Sequence, residues 1–125
     1  MNIRHYTEEL LSLRRHFHQH PELALQEVKT SAFIRIYLEK LGYEITPVEP
    51  TGLIAELPSL KIRKRLIVLR AEMDALPIQE QTELSYASVN QGCMHACGHD
   101  FIIASALILA KIVAEEQRNF PVRIR

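Results

Sequence analysis

Apolar positions recur along the chain with two distinct periods, and those periods predict most of its elements. Ile3, Tyr6, Leu10, Leu13 and Phe17 step by three and four residues, which marks one buried helix face. Thr7 is placed to cap that helix, Glu8 and Glu9 sit in its first turn where the dipole favours acids, and Pro21 closes it. A second helix fits from about Gln26 to Leu41, on the stripe Val28, Ala32, Phe33, Ile36, Tyr37, with Gly42 at the position just past its end. The pattern then shortens. Tyr43–Thr46 and Gly52–Leu57 read as strands stopped by Pro47 and Pro58. Lys61–Arg65, four basic residues in five, reads as a solvated hairpin connection. Leu66-Ile67-Val68-Leu69 is continuously apolar, the pattern of a strand buried on both faces. Gln79–Gln91 is a polar connection with room for a short strand near Leu84–Ala87. From Phe101 to about Gln117 the chain is apolar almost all round, a helix expected to be buried on several sides with Asp100 as its N-cap. Val122–Arg125 begins one more strand.

Length limits this to at most one domain. There are 125 residues with 15 basic and 15 acidic side chains, so the net charge is zero and no electrostatic footprint for nucleic acid or an acidic membrane is present. Apolar residues make up 47% of the chain, enough for a packed core. The start, Met1 to Glu9, is too polar for a secretory signal, and the ten-residue apolar run from Phe101 to Ala110 is too short to span a bilayer. A cytoplasmic setting with reduced thiols is the expectation.

The chemistry is concentrated in Gly92-Cys93-Met94-His95-Ala96-Cys97-Gly98-His99-Asp100, which holds both cysteines of the chain. Cys93, His95, Cys97 and His99 recur with period two. In an extended strand they would share a face but spread over about 20 Å, at roughly 3.3 Å per residue. One ion cannot collect four donors over that span, since ligand bonds to zinc are only about 2.0–2.3 Å long. A bend at Gly98 lets a neighbouring pair chelate, so Cys97 and His99 form the candidate pair and Cys93 and His95 read as loop or packing residues. The competing reading is that each is an ordinary buried cysteine or histidine. A disulfide between Cys93 and Cys97 is disfavoured, because an extended chain separates their Cα atoms by about 13 Å.

Two other places could take part. Glu72 and Asp74 follow the apolar strand at i and i+2, so both carboxylates face one side, and sites in open α/β sheets form at the carboxyl ends of strands. Asp74 could orient an imidazole or metal ligand; alternatively both are surface carboxylates. Arg14, Arg15, His16 and His18 could bind a carboxylate or phosphate, or form a solvated helix end, which is the commoner outcome.

Three motifs resemble a known family: Leu13-Arg14-Arg15-His16-Phe17-His18-Gln19-His20-Pro21-Glu22-Leu23, Arg70-Ala71-Glu72-Met73-Asp74-Ala75-Leu76-Pro77-Ile78, and Met94-His95-Ala96-Cys97-Gly98-His99-Asp100. In order and spacing they are similar to the metal-dependent amidohydrolases that include N-acyl-amino-acid amidohydrolases, hippurate hydrolases and indoleacetyl-amino-acid hydrolases, within the co-catalytic zinc exopeptidases. The resemblance implies a partial three-layer catalytic domain of that type over residues 1–125, with helices packed on a mixed, mostly parallel sheet and no lid or dimerisation domain. It implies that Cys97 and His99 ligate divalent metal, zinc or manganese with cobalt or nickel as further options, and that Asp74 and Asp100 support them. It implies a small N-acyl amino acid as substrate.

The chain departs from the family pattern after Asp100, where a small residue, a histidine and a threonine or valine are usual and Phe101, Ile102 and Ile103 stand instead. The family's general-base glutamate belongs to a Pro-Ala-Glu-Glu motif after the strand that Val122–Arg125 begins. Ala114-Glu115-Glu116 lies before that strand, at a helix end, and does not replace it. The expectation is therefore a portion truncated at its C-terminus, with no catalytic residue of its own, dependent on a missing C-terminal half. The alternative is a non-catalytic metal- or redox-responsive binder using Cys93, Cys97 and His99.

Overall fold

A computed structural model describes residues 3–125; the side chain of Ile3, first in the expected stripe, lies outside the described part. A 3-10 turn at Ile3–Tyr6 leads into α1 (Thr7–Gln19), followed by α2 (Val28–Lys40), β1 (Glu44–Val48), β2 (Gly52–Glu56), a 3-10 turn at Pro58–Leu60, β3 (Leu66–Ile67), α3 (His99–Glu115), a 3-10 turn at Gln117–Asn119 and β4 (Arg123–Ile124). Helices α1 and α3 pack against each other along the stripe the periodicity marked. Leu13, Phe17, Ile103, Ala104, Leu107 and Val113 are all buried in one cluster with Ile34 and Leu38 of α2. Burying a large aliphatic or aromatic side chain stabilises by roughly 1.5–3 kcal/mol, so this helix pair is the mechanical base of the molecule.

The strands form two short ladders. β1 and β2 pair antiparallel in register from Glu44 opposite Glu56 to Val48 opposite Gly52, and β3 pairs parallel with β4, Leu66 opposite Arg123 and Ile67 opposite Ile124. The mixed α/β character expected from the sequence holds, with the ladder divided between an antiparallel and a parallel pair. Glu56 of β2 joins the two, accepting from Arg123 Nε at 2.6 Å and Arg125 Nη2 at 3.3 Å. Those hydrogen bonds, chiefly from Arg123, outweigh the cost of burial and hold its carboxyl at about 2. A cavity of about 540 Å3 separates the strands from the helices, lined by Leu38, Leu53, Val68, Leu107, Ala110 and Ile124 among others.

Several expectations need correction. Leu66–Leu69 is not buried on both faces; all four side chains are exposed, and only Leu66 and Ile67 are in the ladder. A parallel strand is buried only where neighbours cover it, and among the described residues β3 pairs with β4 alone. The basic stretch 61–65 is not a hairpin connection, since it links β2 to a strand that pairs elsewhere. Leu84–Ala87 is a turn rather than a strand, with Ala87 N–H donating to Leu84 O. Thr7 does not cap α1; Tyr6 holds that position without a side-chain bond, because the preceding 3-10 turn runs straight into the helix. Helix α3 is buried on its α1 and α2 sides, but Phe101, Ile102 and Leu109 remain exposed. No helix among the described residues is long and apolar enough to cross a membrane.

Candidate metal centre

Three segments distant in sequence meet around Ala75 and Leu76, in the chain that follows β3. Leu23 bridges Ala75 in parallel and Leu76 bridges Met94 antiparallel, through Ala75 N–H to Glu22 O (2.8 Å), Leu76 N–H to Met94 O (2.9 Å) and Met94 N–H to Leu76 O (3.0 Å). Glu22 also caps α2, its carboxylate accepting from the Lys29 and Thr30 amides and the Thr30 hydroxyl. The His-Pro-Glu segment thereby anchors α2 and the chain that carries Asp74 together. Sequence reasoning missed this, because the cap comes from six residues before the first residue of the helix.

Gly98 forms the bend that the Cys/His pattern requires. Its φ is +83°, in the left-handed region glycine enters without strain, and it occupies the N-cap of α3. Asp100, expected at that cap, instead lies in the first turn, pointing inward and 1% exposed. Its Oδ2 receives His18 Nδ1 at 2.7 Å and Arg14 Nε at 2.9 Å, and its Oδ1 accepts the Phe101 amide at 2.9 Å. A buried carboxylate is stable only when paired and hydrogen-bonded; the Arg14 guanidinium and the His18 ring from α1 meet that need better than a cap would.

His99 sits beside Asp74. Its Nδ1 lies 2.9 Å from the Asp74 carbonyl oxygen and 3.1 Å from Asp74 Oδ1. Both neighbours are acceptors, so Nδ1 donates; in the neutral ring that leaves the lone pair on Nε2. A carboxylate or carbonyl behind an imidazole is the usual arrangement behind a metal-binding histidine. Cys97 is exposed, whereas Cys93 is buried. Burial, with a contribution from the Glu22 charge, pushes the Cys93 thiol up and away from thiolate character. His95 is also buried, neither ring nitrogen has a protein partner among the described residues, and burial pushes its pKa down. Glu72 turns to Arg70 at 3.1 Å and stays at the surface. Among the described residues no group of three or more His, Cys, Asp and Glu side chains is arranged to hold a metal ion. The donor pair Cys97 and His99, with Asp74 fixing the tautomer, suits one part of a divalent-metal site.

The His/Arg cluster of α1 is not a solvated helix end. His18 is 3% exposed, bound to Asp100 through Nδ1 and to Glu80 Oε1 through Nε2 at 3.0 Å. His16 stacks on Phe33 with ring centroids 4.4 Å apart, and burial pushes its pKa below the ordinary value. Arg14 and Arg15 both lie 5.2 Å from the Tyr86 ring centroid. Periodicity could not show this, because His18 meets partners 62 and 82 residues away.

Residues 68–125 match the family model described as Peptidase family M20/M25/M40. That matching stretch makes up just under half of the chain, which is similar to the family there. The chain is 42% identical, over all of its own length and 30% of the other's, to an N-acetyl-L-cysteine deacetylase of Bacillus subtilis. It is 41% identical, over 94% of itself and 32% of the other, to an N-acyl-L-amino acid amidohydrolase of Geobacillus stearothermophilus. Among solved structures it matches a dinuclear metal binding peptidase of the M20 family from Bacillus subtilis, with a TM-score of 0.88, 41% identity, and coverage of 97% of this chain and 34% of that one. The chain thus spans about a third of the length of the relatives it matches.

Proposed function

We propose that these 125 residues form the N-terminal, metal-binding part of the catalytic domain of a hydrolase that cleaves the amide bond of N-acyl amino acids. The observation that carries this reading is the contact of His99 Nδ1 with Asp74, His99 lying two residues along the chain from the exposed Cys97 and across the Gly98 bend. Cys97 and His99 would hold a divalent ion, zinc or manganese with cobalt or nickel as alternatives; when bound, such an ion acidifies water and polarises the scissile carbonyl. Asp74 keeps the proton on His99 Nδ1, and Asp100 fixes the turn from which His99 projects. The substrate class is supported by the relatives named for N-acyl amino acids, and a cytoplasmic setting suits a thiolate ligand that must stay reduced.

Tight metal sites use three or four protein donors, and this reading names two. With that pair alone, these 125 residues should bind metal weakly and hydrolyse amides negligibly. Zinc or cobalt titration of the purified chain tests the site: binding should appear and be lost in Cys97→Ser. No binding, or binding that Cys97→Ser leaves untouched, would refute it. Ordinary turnover of N-acetyl amino acids by the purified chain would refute its incompleteness. The alternative of a redox-responsive binder loses one of its donors, since Cys93 is buried with its thiol pushed up.

A further inference from the structure

The metal-binding turn is gripped at both ends by one side chain that touches neither candidate ligand. His18 lies on α1, 3% exposed, with its ring edge-on to Tyr86 at 5.7 Å. On one side its Nδ1 reaches Asp100 Oδ2, in the first turn of α3 just after the turn; on the other its Nε2 reaches Glu80 Oε1, in the loop that leads into it. We propose that His18 is a positioning residue for the Cys97–His99 turn, setting the direction of the ligand pair by cross-linking α1, the 79–92 loop and the start of α3.

The geometry explains why a polar cross-link is needed there. Near this turn helices α1 and α3 meet through Leu13, Phe17, Ile103 and Leu107, and the Lys111 Nζ–Glu9 Oε2 contact at 2.6 Å lies about three turns further along α3. Apolar contact is non-directional and tolerates small rotations of one helix against the other, whereas hydrogen bonds are angular. Asp100 is locked on both oxygens, by His18 and Arg14 on Oδ2 and by the Phe101 amide on Oδ1. Successive helix residues lie about 100° apart around the axis. Locking Asp100 toward α1 therefore also sets where His99 projects, which is toward Asp74. A binding constellation must be held to roughly 0.5 Å and 10–20° to function, and apolar contacts next to the turn do not define its rotation that closely.

Glu80 organises the other end. Besides His18, it accepts the Ser88 amide at 2.6 Å and the Thr82 hydroxyl. Burial opposes its ionisation, but these hydrogen bonds outweigh it and hold the carboxyl at about 2. The loop folded around Glu80 is strapped to the end of α1 by Val89 N–H on Gln19 O and Asn90 Nδ2 on Pro21 O, and is closed by Gly92 N–H on Gln79 Oε1. Cys93 is the next residue. His18 thus reaches the chain on both sides of the 93–99 turn.

This inference rests on Cys97 and His99 being metal ligands, and the test separates the two claims. The readout is the zinc concentration that half-protects Cys97 of the full chain from iodoacetamide, with buried Cys93 as the internal reference in the same digest. In His18→Leu that concentration should rise about tenfold or more, within the range that outer partners of metal ligands command. His18→Gln, which can still donate to one carboxylate, should fall between. Leu13→Ala, a loss of packing on the same helix, should lower thermal stability yet keep the wild-type protection concentration well below its melting temperature. Glu80→Gln carries the test if His18→Leu does not fold, and should also raise the concentration. Wild-type protection retained unchanged in both His18→Gln and Glu80→Gln would overturn the role of His18 alone. A wild-type chain that zinc does not protect at all would overturn the metal reading, and this inference with it.

Discussion

The two ends of the molecule are held by different physics. At the loop end, segments around residues 18, 22, 74, 80, 94 and 100 meet through directional bonds between buried or half-buried polar groups, including His18–Asp100, His18–Glu80, Asp74–His99 and the Leu76–Met94 bridge. At the strand end, the hairpin and the β3–β4 pair face a cavity of about 540 Å3, and Leu66, Ile67, Val68 and Leu69 are exposed. The loop end is specified by partners it cannot exchange, because a buried polar group left unpaired costs about 1–3 kcal/mol. The strand end is defined by short ladders and by mostly surface pairs such as Glu56 with Arg123 and Glu44 with Lys61. Function follows the same division, with the candidate ligands at the end where orientation is fixed.

The contrast is sharpest at Asp100. Asp100→Ala strands Arg14 and His18 opposite an empty position, and breaking a buried ion pair typically costs about 3–5 kcal/mol; urea unfolding should show a loss of that order, and a loss below about 1 kcal/mol would erase the distinction between the ends. Next in size is Asp74→Asn. The Asp74 side chain is about a third exposed, so the fold should persist, while metal affinity falls by about 10–100-fold. Unchanged affinity would mean that the carboxylate does not steady His99.

Acid should weaken both ends together. Glu56 and Glu80 both have carboxyls lowered from an ordinary 4.5 to about 2. A depressed folded-state pKa contributes stability that is present above the unfolded value and lost as pH falls through the folded one. Stability should therefore decline from near pH 4.5 toward pH 2, and Glu56→Gln and Glu80→Gln should each flatten part of that decline. A chain equally stable at pH 6 and pH 2.5 would contradict both pairings. The smallest effect is expected at the strand end. Ile67→Lys, on a half-exposed edge position, should change stability by within about 0.5 kcal/mol while reducing self-association in sedimentation, since a charge blunts an exposed strand edge.

Helix positions were legible because amphipathic periodicity is local: α1 ends at Gln19 before Pro21, α2 ends at Lys40 before Gly42, and α3 carries the long apolar run. The Cys97-Gly98-His99 bend was legible for the same reason, since it depends on three adjacent residues and on the freedom of glycine. The burial of Leu66–Leu69 was misread because an apolar run reports what a strand could bury, not what covers it. His18 was misread because a charged helix end looks the same whether its partners are water or carboxylates far along the chain. Asp100 was assigned the right neighbourhood and the wrong task, as its side chain turned to α1 and left the cap to Gly98.

What the amino-acid order determined by itself was the set of helices, the clustering of thiol and imidazole around a flexible glycine, and the family likeness of its three motifs. Only the tertiary structure decided that His99 faces Asp74, that Cys93 turns inward while Cys97 does not, and that one histidine of α1 spans Glu80 and Asp100. Periodicity acts over a few residues and is written in the local sequence. Pairing between buried charges depends on which distant segments the apolar core brings within about 3 Å, and no local pattern carries that information.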